Sequence, residues 1–197
     1  MSENSNGLPK AIVERLREPL DVSRIKTRKA PGGGVVPYIE GHDAISQANE
    51  IFEFAWSMEI VGPIQHIATE PRPKYEYDKA KKRRVPVTDE DGNQVFEPTG
   101  LYFATVAITA YGVTHSDVGR CSHTGNTPEA HEMAIAGAVT DAMKRALRQF
   151  GDQFGNSLYD KESEAFKQAT DGNAAWAGEL TLEEARAVEI GFGKHSG

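Results

Sequence analysis

Thr127-Pro-Glu-Ala-His-Glu-Met-Ala-Ile-Ala-Gly-Ala-Val-Thr-Asp-Ala-Met-Lys-Arg-Ala-Leu-Arg-Gln-Phe-Gly151 is the stretch whose reading decides the fold. Thr127 suits a helix N-cap, Pro128 the first helical position, and Glu129 the positive end of the helix dipole. Gly151 is a natural stop just past Phe150. The spacing predicts one long helix over Pro128–Phe150. At about 100° per residue, Thr140, Lys144 and Arg148 fall in one row, with Asp141 and Arg145 beside it. Val139, Ala142, Met143, Ala146, Leu147 and Phe150 occupy the opposite side and would seal against a sheet. The polar side presents three cations, a hydroxyl and a carboxylate, and Asp141 can orient the Arg145 guanidinium from four residues away. Cations one turn apart rise by about 6 Å, close to a phosphate repeat in an extended strand. An ordinary solvated helix face has the same pattern, so the row alone leaves both readings open.

Before this helix lie the strands. Leu101–Tyr111 is apolar on both faces and reads as central, with Val113–Ser122 as its antiparallel partner. Trp56–Ile67 reads as a strand broken near Gly62-Pro63. Residues 68–99 are polar, proline-rich and charged. They read as a protruding hairpin or mobile loop with Asp91-Gly92 at its turn. A helix over Asp43–Ala55 carries Ile45, Ala48, Ile51, Phe52 and Ala55 as its stripe, and Leu8–Leu20 reads as another, frayed by Pro19. A basic connector follows. It leads to Pro31 and three glycines, then to a short edge strand, Val35–Ile39, containing Pro37. Beyond the long helix, Phe154, Leu158 and Tyr159 should dock on the core. Residues 162–180 read as a linker, and Thr181 to Glu184 is a capping box opening a short helix near 182–190. There is no internal repeat.

The chain has 197 residues, 39% of them hydrophobic, enough for one domain with its own core plus a tail. It holds no apolar run of about 18 residues, so no membrane span is expected. The polar start lacks the basic and apolar regions of a signal peptide. The single cysteine, Cys121, excludes an intrachain disulfide framework and points to a reducing interior such as cytoplasm. The formal net charge of −7 argues superficially against nucleic acid, but the distribution matters more than the sum. Arg24, Lys26, Arg28 and Lys29 lie in an acid-free stretch over residues 22–39. Lys79, Lys81, Lys82, Arg83 and Arg84 form a second cluster, and Lys144, Arg145 and Arg148 a third. Phosphate binding needs such local positive potential.

Several words then combine. Leu16-Arg-Glu-Pro-Leu, Arg28-Lys-Ala-Pro-Gly-Gly-Gly-Val-Val-Pro-Tyr38-Ile-Glu-Gly-His42 and Ala48-Asn-Glu-Ile-Phe52 resemble the amino-terminal half of the Rad-fifty-two family of recombination proteins. His115-Ser-Asp-Val-Gly119 and the run from Ala138 to Asn156 resemble the same domain, in the same order, over roughly residues 8–161. The resemblance implies an α+β fold: a curved antiparallel sheet with a β-β-β-α core and a long amphipathic helix packed on it, in subunits that form a ring. It implies a non-enzymatic protein without cofactors that binds single-stranded DNA and anneals complementary strands in double-strand break repair, without ATP. Carried over by position, Arg28, Tyr38, Thr140, Lys144, Arg145 and Arg148 should line the inner strand-binding groove. Lys161 matches a position of an outer DNA site. The early helix, Ala130–Gly137, lacks the lysines and arginines that relatives carry there, and Lys81, Lys82, Arg83 and Arg84 are candidates to replace that charge. The expected partners are single-stranded DNA and further copies of the chain. The long carboxyl-terminal half that recruits recombinases in eukaryotic relatives has no counterpart in these residues. Its shortness suggests a phage-like or bacterial member, phage-encoded or nucleoid-associated in a bacterial host.

Two rival readings fit parts of the sequence. His115, Asp117, Cys121 and His123 alternate onto one face of a strand, and with His131 they approximate a zinc or nuclease constellation, although the spacing matches no standard motif. The same fold would also serve a protein that protects DNA ends without annealing them.

Overall fold

The computed structural model describes residues 7–30 and 34–174. In chain order these form α1 (Lys10–Arg17), β1 (Lys26–Lys29), β2 (Val35–Tyr38), α2 (Gly41–Ile51), β3 (Trp56–Ile60), β4 (Gln65–Pro73), β5 (Tyr75–Asp78), β6 (Arg83–Pro86), β7 (Phe96–Ala110), β8 (Val113–Thr124), α3 (Pro128–Arg148) and α4 (Glu164–Ala174). The fold is α+β, as expected. β3 pairs with residues 106–110 of β7 and β4 with residues 96–103, both antiparallel. They act as one strand interrupted at Gly62-Pro63. β8 takes the other edge of β7, from Ala110↔Val113 to Thr99↔Thr124. The order strand, strand, strand, helix is therefore the β-β-β-α core.

Local chemistry explains the joints. Tyr111 and Gly112, at φ 50° and 79°, close the β7–β8 hairpin in the two-residue turn whose twist suits antiparallel strands. The Thr127 hydroxyl accepts the Ala130 N–H and caps α3. β7 is central, but only one face is sealed: Ala104, Val106, Ile108 and Ala110 are buried beneath α3, while the alternating residues are half exposed. Ala138, Ala142, Ala146 and Leu147 lie fully buried on that face. Alanines let helix and sheet approach closely, and Gly119 on β8 is where they come closest. A Cβ there would overlap the Ala142 nitrogen and the Ala138 carbonyl oxygen. Phe52 of the α2 end meets Phe150 and Phe154 at ring distances of 5.1 and 5.8 Å, which joins the helices into one core with Ile12 and Leu16 of α1.

Several expectations are corrected. The basic connector is a strand: β1 pairs with β2 through Lys26↔Tyr38 and Arg28↔Val36. Its side chains are all exposed, so no apolar alternation marked it. α1 is shorter than Leu8–Leu20. α2 ends at Ile51 rather than Ala55, because Glu53 and Phe54 turn the chain at φ 52° and 62°. Residues 68–99 are neither one loop nor one hairpin. β4 continues to Pro73, β5 and β6 form a separate ribbon, and Asp89–Asn93 makes a second turn, closed by the Asp89 carboxylate. Asp91-Gly92 does sit at that second turn. The linker reading of 162–180 fails at its start: α4 begins at Glu164, with the Ser163 hydroxyl accepting the Phe166 N–H. The glycines at 32–33 and the helix expected near 182–190 lie outside the described residues.

Arg24 changes role. It belongs to the acid-free basic stretch, yet its side chain is only 14% exposed. Its guanidinium donates to both Asp43 carboxylate oxygens and to the side chain and backbone carbonyl of Gln153. Gln153 in turn donates to the Glu18 and Pro19 carbonyls. The network ties α1, α2 and the turn after α3 together. Arg24→Ala would strand Asp43 and Gln153, and an unfolding titration is expected to show a loss of about 3 kcal/mol. A midpoint like that of the parent protein would refute this structural role.

Candidate nucleic-acid interface

The second half of α3 forms one wall of a cleft of about 700 Å³, and β2 forms the facing side. Arg28, Tyr38, Thr140, Lys144, Arg145 and Arg148 all line it. Six residues predicted from two distant stretches of sequence thus meet in one place. The hairpin of β1 and β2 brings Arg28 and Tyr38 to the helix. The Arg28 guanidinium lies 5.9 Å from the Tyr38 ring centre and the Lys144 ammonium 5.7 Å from it. Tyr38 therefore holds two like charges beside one ring, within cation–π range.

The cations differ in what they already hold. Lys144 donates to the Ile39 carbonyl at 3.3 Å and is half-buried. Burial pushes its pKa below the ordinary lysine value. Asp141 and Glu40 oppose that shift, and Arg28 reinforces it. A phosphate between Lys144 and Arg28 would restore the missing counter-charge. Affinity for a strand should accordingly decline with rising pH before ordinary lysines titrate. Lys144→Arg should remove that decline in an anisotropy titration, whereas an unchanged pH profile would refute the assignment. Arg145 is engaged: its Nε donates to Asp141 at 3.0 Å. Burial works against its charge, but Asp141, by charge and hydrogen bond, holds the guanidinium ionised. Asp141 also accepts the Arg120 N–H and so pins helix to strand beside Gly119. The Thr140 hydroxyl donates back to the Ala136 carbonyl, leaving it only as an acceptor or weak partner for a ligand. Arg148 lies over the Tyr159 ring at 3.9 Å.

Tyr159 also lines the cleft, and sequence reasoning placed it in the core instead. It is 73% exposed. Its neighbours Phe154 and Leu158 are buried, and that contrast follows from the tight helical turn over Asn156–Tyr159, which no heptad-like spacing announces. The outer candidates come from separate elements. Lys161 follows that turn, two residues after Tyr159, whereas Lys81, Lys82, Arg83 and Arg84 belong to the ribbon that grows from the Phe96 end of β7.

The metal constellation comes apart as well. His115 packs edge-on against Phe150, and Cys121 lies against Gly137. His123 and His131 instead join His66 and Tyr102. His66 and His123 share an Nε2–Nε2 hydrogen bond of 2.8 Å, and Tyr102 bonds the His131 Nδ1 at 2.9 Å. The His123 Nδ1 lies 3.1 Å from the Gly125 carbonyl, which can only accept. Gly100 leaves the space above its Cα in which the His66–His123 pair sits. Among the described residues no group of three or more potential ligands is arranged to hold a metal ion.

The family model "Rad52/22 family double-strand break repair protein" matches residues 9–177, most of the chain. The chain belongs to the Rad52/22 family. Among family members it is 34% identical over 152 residues to the DNA repair and recombination protein RAD52 of Candida glabrata, covering 77% of this chain and 26% of that one. It is 37% identical over 140 residues to the DNA repair and recombination protein rti1 of Schizosaccharomyces pombe, covering 70% and 32%. With RAD52 of Saccharomyces cerevisiae the identity is 32% over 152 residues, covering 77% and 28%. The chain thus spans about a quarter to a third of the length of these Rad52-type relatives. All three are fungal, so the expectation of a phage-like or bacterial member is not borne out. The Rad52/22 match also runs past the boundary expected at residue 161 and takes in α4.

Proposed function

We propose that this chain binds single-stranded DNA in the cleft along α3 and anneals complementary strands, in recombination and double-strand break repair, without ATP and without a covalent step. The observation that carries the reading is the meeting of Arg28, Lys144, Arg145 and Arg148 with two tyrosines in one open cleft. Cations neutralise phosphates without reading sequence, and exposed aromatic rings accept any base. That combination suits a strand held for pairing. The relatives' names, DNA repair and recombination proteins, point the same way. The experiment coats two complementary oligonucleotides separately with protein, mixes them, and follows duplex formation. Faster pairing than for the bare strands supports annealing. Tight binding with no acceleration would favour the second reading, protection of DNA ends, which the same cleft serves.

Self-assembly belongs to the same proposal. Met58 and Ile60 sit opposite the buried Ile108 and Val106, on the helix side of the sheet, yet both are 43% exposed. The edge of β3 leaves them uncovered, as expected of a surface that packs on another subunit. Light scattering is expected to give a mass several times that of one chain, and Met58→Lys with Ile60→Lys to lower it. A monomer at working concentration would overturn the assembly.

A further inference from the structure

The cleft offers cations and exposed rings, and residues 175–197 of the same chain carry the complement of both. That stretch holds Glu179, Glu183, Glu184 and Glu189 against Arg186 and Lys194, with Trp176 and Phe192 as its rings. The cleft sets Arg28, Lys144, Arg145 and Arg148 against Asp141. Arg28 and Lys144 flank the Tyr38 ring, and among the described residues neither has a carboxylate within ion-pair distance. Acidic charge alone would be bland, since a solvated tail carries glutamates for solubility. The apolar content is not bland. Trp176, Leu180, Leu182, Val188, Ile190 and Phe192 are interleaved with the glutamates. Alternation of carboxylates with large apolar side chains marks a segment that docks on a surface.

The chain also leaves the fold beside the cleft. α4 follows the turn over Asn156–Tyr159 and packs on that turn, on β2 and on β1, the elements that carry Tyr159, Tyr38 and Arg28. Its last residue, Ala174, leads directly into the acidic stretch. Fully extended, the chain carries Glu179 up to about 17 Å from Ala174 and Glu189 up to about 50 Å. A short tether holds its groups at a local concentration of about a millimolar. A contact with a dissociation constant of only about 0.1–0.5 mM then lowers strand affinity about three- to tenfold.

We infer that residues 175–197 are a built-in competitor for the cleft, with their glutamates in place of phosphates and their rings in place of bases. This rests on the strand-binding reading above and adds its regulation. A long strand offers many phosphates at once and displaces the segment, whereas an isolated anion does not. The cleft is thereby kept for strands long enough to pair.

The test keeps the full chain. Glu179→Gln with Glu183→Gln, Glu184→Gln and Glu189→Gln should raise affinity for a labelled oligonucleotide about three- to tenfold at low salt. The gain should vanish at high salt, where the ion pairs are screened. Glu14→Gln with Glu70→Gln, Glu90→Gln and Asp91→Asn removes four exposed carboxylates elsewhere and controls for net charge. It should change affinity less than about twofold. A photoreactive benzoylphenylalanine in place of Trp176 should crosslink to β2 and to the second half of α3, and added oligonucleotide should suppress those crosslinks. Unchanged affinity in the glutamine variant would overturn the competitor. So would an equal gain in the control, which would reduce the effect to net charge. Crosslinks that land elsewhere, or that ignore the oligonucleotide, would overturn it too. Failure of the parent protein to bind a strand would sink the cleft reading, a separate outcome.

Discussion

Lys144→Ala is expected to lower affinity for a single strand by about one to two orders of magnitude at moderate salt, and to reduce the slope of log affinity against log salt by about 0.7. Arg28→Ala should do the same. The reasoning begins with their shared geometry. Both lie just under 6 Å from the Tyr38 ring, and the charge of Arg28 helps to lower the pKa of Lys144. The unliganded cleft therefore holds two like charges that repel, one of them half-buried. Removing one relieves that repulsion. Stability of the free protein should stay level or rise slightly, while affinity falls. A merely structural role predicts the opposite, loss of stability with little change in affinity. The two substitutions should also be less than additive together, since one phosphate bridging both groups is lost with either. Unchanged affinity in both single variants would refute the cleft as the strand site.

How much of this was legible in the sequence depends on the range over which each feature is encoded. The long helix is local: its cap, its proline, its stop and its row of Thr140, Lys144 and Arg148 all follow from spacing within 25 residues. The β7–β8 hairpin was legible for the same reason. β1 was not, because Lys26–Lys29 is exposed throughout and finds its partner only across the glycine stretch. Arg24 misled because composition counts a guanidinium as surface charge, while Asp43 and Gln153, the latter 129 positions away, make it internal. The cluster of His66, Tyr102, His123 and His131 draws on β4, β7, β8 and α3, so no motif contains it. The site residues were placed by resemblance, and the helix periodicity alone supplied the three cations of one wall. Neither supplied Tyr159, whose exposure depends on how the chain turns after α3.

Gly119→Ala should be the most damaging of the single-methyl changes considered for this chain. The added carbon would overlap the Ala142 nitrogen and the Ala138 carbonyl oxygen, both helix backbone, which cannot rotate aside as a side chain can. Strand and helix must then separate. Separation opens the fully buried contacts of Ala138, Ala142 and Val106. Overpacking of this kind costs about 1–3 kcal/mol, and rigid neighbours on both sides place this site at the upper end. For a chain of this size, about 3 kcal/mol corresponds to a melting temperature lower by about 6–12 °C. Gly34→Ala is the control, because among the described residues a Cβ there meets nothing within 4 Å. It should change stability by less than about 0.5 kcal/mol. The consequence extends to the cleft. Next to Gly119, the Arg120 N–H donates to Asp141, and Asp141 also holds Arg145. Moving the strand outward breaks the first bond and releases the second. Gly119→Ala should therefore weaken strand binding even at temperatures where it remains folded, whereas Arg24→Ala, comparably destabilising but bonded to Asp43 and Gln153 rather than to Asp141, should weaken it less. Equal melting of Gly119→Ala and the parent protein would mean that helix and sheet have slack at this contact, and the coupling from packing to cleft would fall with it.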